Sequence, residues 1–149
     1  MTSPPRTAVM DQLGVLLAGR GAIAGTRVRA ALAAEGLTMR SLYTLTRLTD
    51  GPLGQQALID ALGVDPSAVV AVLNELENLG LVSRNRDPAD RRRHIVSITA
   101  GGLSVLHTIE KLLDDADNDL FGALSPAERD QLNGLLLKVA DAASCSDKF

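Results

Sequence analysis

Large aromatic side chains are almost absent from this chain of 149 residues: it has no tryptophan, and Tyr43, Phe121 and Phe149 are its only tyrosine and phenylalanines. Stacking on rings, the usual route to single-stranded nucleic acid, is therefore nearly unavailable. A core must come from Leu, Val, Ile and Ala, which suits helix packing. The single cysteine, Cys145, excludes an internal disulfide and a multi-cysteine metal site. The two histidines, His94 and His107, belong to no cluster at zinc spacing. There is no Gly-x-Ser-x-Gly elbow. Gly19-Arg20-Gly21 fails as a phosphate loop, because no strand precedes it and no Gly-Lys-Ser/Thr follows. No catalytic constellation remains, so neither an enzyme nor a cofactor is expected. No apolar run reaches the roughly 18 residues of a membrane span. Residues 1–8 are polar and proline-containing, without the apolar stretch of a secretory leader. A cytoplasmic location with no membrane contact is the expectation.

What is present is 46% apolar residues, an ordinary share for a globular protein, at a length that fits one domain with a sizeable core. The net charge of −3 looks wrong for a nucleic-acid binder until the charges are placed. Arg84, Arg86, Arg91, Arg92 and Arg93 fall within ten residues and make up five of the 15 Lys and Arg. Glu110, Asp114, Asp115, Asp117 and Asp119 lie together farther on. Such an asymmetry would orient the protein with its acidic end away from phosphate. The same acids also read simply as a solvated helix face.

Residues 53–102 organise the chain. Leu58, Ile59 and Leu62 fall on one face of a short helix over 55–62, which Gly63 stops. Asp65-Pro66 restarts a helix: Asp is a good N-cap, and proline at the first helical position loses no hydrogen bond. Val69, Val72, Leu73, Leu76 and Leu79 supply its expected buried stripe, and Gly80 its stop. Two helices joined by a glycine-containing turn form a helix-turn-helix whose second helix can enter a major groove. Strands are expected over 81–86 and 94–98, with Val82, Val96 and Ile98 as β-formers. Between them Asp87-Pro88-Ala89-Asp90 makes the turn. Arginine at a hairpin tip suits phosphate contact and insertion into a narrow minor groove. Thr99 reads as the N-cap of the next helix.

Gly63-Val64-Asp65-Pro66-Ser67, Leu76-Glu77-x-x-Gly80-Leu81-Val82, Asp87-Pro88-x-Asp90-Arg91-Arg92 and Ile98-Thr99-x-x-Gly102 together resemble the MarR family of bacterial transcription regulators. The wing run at this distance from the helix is a fairly specific signal, and the likeness extends over the helical layout. The resemblance implies a mainly α fold with a small β wing, a winged helix-turn-helix that dimerises through its N- and C-terminal helices. It also implies binding to double-stranded DNA, often as a repressor released by a small molecule. By that resemblance, Arg92 reaches the minor groove and Asp90 helps fix the wing's arginines. The recognition helix departs from the family pattern. Its exposed positions are Ser67, Ala68, Val70, Ala71, Asn74 and Glu75, without a Lys or Arg. Asn74 can read adenine, and Val or Ala can touch a thymine methyl. The wing then carries more than its usual share of affinity. The candidate DNA-binding residues are thus Ser67, Ala68, Val70, Ala71, Asn74, Arg84, Arg86, Asp90, Arg91, Arg92 and Arg93.

The flanks are helical. Residues 1–7 read as a frayed arm. A helix is expected over 8–34, with Val9, Leu13, Leu16, Leu17, Ala24, Val28 and Leu32 at helical spacing. Gly19, Gly21 and Gly25 weaken it by up to about 1 kcal/mol each relative to Ala, and mark a kink or a close crossing. Thr38 caps a helix over 39–49, Asp50-Gly51-Pro52 turns, and Leu53 adds a short third strand. After the wing, a long helix runs over 103–120. Ser125-Pro126-Ala127-Glu128 is a capping box opening a last helix with Leu132, Leu135, Leu136, Val139 and Ala143 on one face. The tail over 144–149 reads as disordered. The division is 1–36 for dimerisation, 37–100 for DNA binding and 101–149 for dimerisation again. Packing the terminal helices of two copies would make a two-fold homodimer; the alternative is packing within one chain. The resemblance also implies an effector pocket between the dimer helices and the DNA-binding lobe, which by position Leu17, Arg20, Met39 and Tyr43 would line here. There Arg20 holds a carboxylate and Tyr43 a phenol, for a small aromatic or carboxylate effector. The plainer reading makes Met39 and Tyr43 core and Arg20 a solvated charge. A second reading of the whole chain also stands: a winged helix used for protein contact, its arginines meeting an acidic partner.

Overall fold

The computed structural model describes residues 8–139. The arm over 1–7, the tail over 144–149, Ala143 and Cys145 lie outside the described residues. A 3-10 turn, Ala8–Asp11, precedes helix α1, Leu13–Ala34. The expected single helix is broken at Gln12, whose backbone is extended (φ −67°, ψ 136°). From Leu13 on, α1 runs uninterrupted through its glycines. A Cβ built at Gly19 or Gly21 would meet no atom within 4 Å, so no close crossing forms there within the chain.

Helix α2, Met39–Arg47, starts at Thr38, whose hydroxyl accepts from the Ser41 N–H while the Ser41 hydroxyl accepts from the Thr38 N–H. Strand β1, Leu53–Gly54, leads into α3, Gln55–Leu62, and then α4, Pro66–Asn78. Strands β2, Val82–Arg86, and β3, His94–Ile98, form the hairpin. Helix α5, Ala100–Leu120, and α6, Pro126–Lys138, complete the chain. The sheet order is β1-β3-β2, all antiparallel, with Leu53 opposite Val96, Val82 opposite Ile98 and Arg84 opposite Val96. This is a winged helix-turn-helix set between long terminal helices, as expected.

The core lies where α2, α3, α4 and the sheet meet α5. Leu45, Leu48, Leu58, Val69, Leu73, Leu76, Val96 and Ile109 are all buried to within 1%. Each such side chain contributes about 1.5–3 kcal/mol relative to an exposed one. Leu79 departs from the expected stripe and is 54% exposed. The helix has ended by then. Gly80 takes φ +73°, its N–H donates to the Glu77 carbonyl, and the Leu81 N–H donates to the Leu76 carbonyl at 2.9 Å. That left-handed closure swings Leu81 into the core in place of Leu79. Leu81 then meets the start of α5, where a Cβ on Gly102 would collide with the Leu81 carbonyl and the Ile98 side chain. Glycine is what lets α5 lie against the wing.

Helix α1 packs against α5, but only Leu32 of α1 is buried. No residue of α6 is buried, and its tie to α5 is Arg129, which donates to the Phe121 carbonyl and to Asn118. Leu13, Leu17 and Ile23 on α1, and Leu135, Leu136 and Leu137 on α6, remain exposed.

Candidate nucleic-acid interface

Helix α4 buries Val69, Val72, Leu73 and Leu76 and turns the opposite face outward. Ser67, Ala71, Asn74 and Glu75 are exposed there, with Ala68 and Val70 half-buried. The Asp65 carboxylate does not cap the helix backbone, as its position suggested; it accepts the Ser67 hydroxyl instead.

The hairpin tip holds the arginines out. The Arg92 and Arg93 side chains are 94% and 78% exposed. Asp90 sits among them: its carboxylate accepts the Arg92 N–H at 3.1 Å and lies 3.6 and 3.7 Å from the Nε atoms of Arg92 and Arg93. The Asp87 carboxylate accepts the Ala89 N–H, and the Asp87 N–H donates to the Arg93 carbonyl. At this exposure the ion pairs add little stability, yet the turn leaves a cationic surface facing solvent. Arg86 and Arg91 are exposed as well. His94, opposite Arg86 at the mouth of the hairpin, is exposed, and with Arg92, Arg93 and Gln55 it lines a groove of about 520 Å³.

Arg84 is placed differently from the rest. It lies two residues after buried Val82, so strand alternation puts it on the inward face. Its side chain is only 20% exposed. Its Nε donates to the Glu77 carboxylate at 2.8 Å and its terminal nitrogen to Asn74 Oδ1 at 2.6 Å. That hydrogen bond from Arg84 holds the Glu77 carboxyl below the ordinary carboxylate range; desolvation opposes it, and the charges of Arg84 and His94 add to it. Glu77 belongs to the family motif in the sequence, but no role is assigned to it there. The signal was its position three residues after Asn74, on the same helical face.

A cleft of about 800 Å³ opens between the end of α1, the start of α2 and α4. Arg29, Thr38, Met39, Arg40, Ala71 and Glu75 are in its lining. Of the four residues expected to hold an effector, Met39 is here. Leu17, Arg20 and Tyr43 are exposed and lie outside this lining. Arg29 and Arg40, missed by the sequence reading, bring the cationic groups instead. Among the described residues no group of three His, Cys, Asp or Glu side chains is placed to hold a metal. His107 is exposed on α5, 3.7 Å from Glu110.

A profile of the MarR family matches residues 35–93. A protein assigned to transcriptional regulation of the hcr operon in Thauera aromatica is 39% identical over 123 residues, covering 80% of this chain and 74% of that protein. Wild-type MarR from E. coli, in its apo form, superposes with a TM-score of 0.73 at 25% identity, over 86% of this chain and 96% of that one. BpsR from Bordetella bronchiseptica, whose DNA binding is regulated by 6-hydroxynicotinic acid, gives 0.72 at 27% identity, over 94% and 99%.

Proposed function

The chain belongs to the MarR family of transcriptional regulators, and from that premise we propose that it is a homodimeric repressor of duplex DNA relieved by a small aromatic or carboxylate effector. The observation that carries this reading is the wing: exposed Arg91, Arg92 and Arg93 project on a braced hairpin beside the outward face of α4. Helix α4 enters the major groove with Ser67, Ala68, Val70, Ala71 and Asn74, and the wing tip lies in the adjoining minor groove. The tip contributes phosphate and minor-groove contacts through Arg86, Arg91, Arg92 and Arg93, positioned by Asp90. Arg84 acts from the root, setting the wing against the helix. Two copies address a palindrome with half-sites about one helical turn apart.

Residues 1–36 and 101–149 form the dimer, and 37–100 bind DNA. The exposed leucines of α1 and α6 support that division, since such faces need a partner. The 800 Å³ cleft is the proposed effector site, with Arg29 and Arg40 for a carboxylate and Met39 for a ring. Because the cleft is walled by α4, an effector there shifts the balance between two spacings of the recognition helices. Work on duplex DNA supports a cytoplasmic location. No single described helix is long and apolar enough to cross a membrane.

A second reading, a winged helix for protein contact, draws on the lack of any Lys or Arg on the outward face of α4. A gel shift with the protein's own upstream DNA separates the two. Salt-sensitive retardation of a specific fragment supports the regulator; absent or salt-insensitive binding supports the protein-contact module.

A further inference from the structure

With α4 in one groove and the wing tip in the next, the protein straddles the sugar-phosphate strand that divides the two grooves of a duplex. That strand runs between the hairpin and the helix pair, along the face that the hairpin turns towards α3 and α4. Two-residue alternation puts Arg84 and Arg86 of β2 on that face, with Val96 and His94 of β3 opposite them. Val96 is buried, and beyond it the face runs out into solvent at His94, which is exposed. His94 lines two hollows there. The first, of about 520 Å³, lies against the start of α3 and includes Arg92 and Arg93; the second, of about 330 Å³, includes Glu77 and Arg84.

Among the described residues no hydrogen bond or salt bridge engages the His94 ring. Its charged surroundings are Arg84 and Arg86 from β2, Arg92 and Arg93 from the tip with Asp90 paired to both, and Glu77 from α4. Helix α3 presents the uncharged Gln55 and Gln56. Four guanidinium groups thus stand against two carboxylates, a setting that draws in an anion. The guanidinium groups stay charged at every physiological pH, whereas an imidazole ordinarily changes charge between about pH 5 and 8. A phosphate entering beside the ring favours the imidazolium over the neutral form.

We propose that His94 binds a backbone phosphate of the strand between the two grooves, and does so as the imidazolium, so that at neutral pH and above DNA binding takes up protons. The inference rests on the DNA-binding reading of α4 and the wing. Its consequence is an operator affinity that rises as pH falls through the range of histidine. The Glu77–Arg84 pair that braces the wing stays ionised through that range, because the hydrogen bond from Arg84 holds the Glu77 carboxyl below ordinary carboxylate values. Protonation of His94 therefore adds a contact with DNA without undoing the mount of the wing.

The test uses the full-length dimer and its operator duplex, with affinity measured by anisotropy from about pH 8 to pH 6 at constant ionic strength. The wild type should gain roughly 3- to 10-fold per subunit over that range, the scale that linkage gives for an imidazole held charged by one phosphate neighbour. His94→Gln should flatten the dependence. His94→Lys, charged throughout, should flatten it at the high affinity that the wild type reaches only in acid. His107→Gln, on α5 away from the wing, should keep the wild-type dependence. Calorimetry at neutral pH in two buffers of different ionisation heat should show proton uptake by the wild type that His94→Gln reduces. An equal pH dependence in wild type and His94→Gln would overturn the inference alone, as would a wild-type affinity that does not rise in acid. A wild type that binds no duplex at any of these pH values would overturn the DNA-binding function itself, and this inference with it.

Discussion

Arg84 on β2 and Glu77 on α4 are seven residues apart in sequence and meet at 2.8 Å across the root of the wing. The pair fixes the hairpin to the recognition helix, so tip and helix present themselves as one surface.

This contact predicts a pH signature. Glu77 titrates below its unfolded value, chiefly through the Arg84 hydrogen bond. Its contribution to stability is therefore in place above the ordinary carboxylate range and is lost as pH falls through the folded pKa. Arg84→Met should return the Glu77 carboxyl to the ordinary range, read by NMR titration of its side-chain carbon. Glu77→Gln should differ from wild type near neutral pH and converge with it in acid. An unmoved titration in Arg84→Met would refute the pairing.

Gly102 faces the Leu81 carbonyl and Ile98 with no space for a methyl group. Gly102→Ala should destabilise the protein by about 1–3 kcal/mol, the usual cost of overpacking, seen as a lower midpoint in thermal melting. An unchanged midpoint would mean that α5 is not seated on the wing in this way.

The exposed leucines of α6 predict an obligate partner. Leu137 is 79% and Leu136 44% exposed in one chain. Light scattering should give twice the 15.7 kDa chain mass for the wild type. Leu136→Asp with Leu137→Asp should shift the protein towards the single-chain mass and weaken binding to a two-fold operator. A wild type of single-chain mass at micromolar concentration would remove the dimer.

The cleft beside α4 predicts effector binding through its arginines. Aromatic carboxylates should bind by calorimetry and lower operator affinity. Arg29→Ala or Arg40→Ala should weaken that binding by about 10-fold or more, the scale of a lost charge-assisted hydrogen bond. Equal binding by both variants would move the effector site elsewhere.

Much of this architecture is written in local punctuation. Gly63 ends α3 at the expected residue, Thr38, Thr99 and Ser125 cap the helices they precede, and Leu53 pairs with β3 as a short strand. These signals act within a few residues, so a linear reading finds them. Leu79 fits the helical periodicity but is the C-cap, and the left-handed closure at Gly80 puts Leu81 in the core in its place. Asp65 was misjudged because a neighbouring hydroxyl competes with the backbone for its carboxylate. The inward turn of Arg84 was encoded in the two-residue alternation from Val82, but it was hidden by treating five arginines as one cluster. That Arg29, Arg40 and Glu75 line one cleft depends on how α1 and α2 come against α4, and no spacing within one helix reports that.

The most direct test of the regulator account is operator affinity measured by fluorescence anisotropy across a salt series, for wild type and Arg92→Ala. The account predicts steep weakening with salt for the wild type. For Arg92→Ala it predicts lower affinity at every salt concentration and a slope of log affinity against log salt reduced by about one, the mark of one lost phosphate contact. Identical affinity and slope in the two proteins would contradict it.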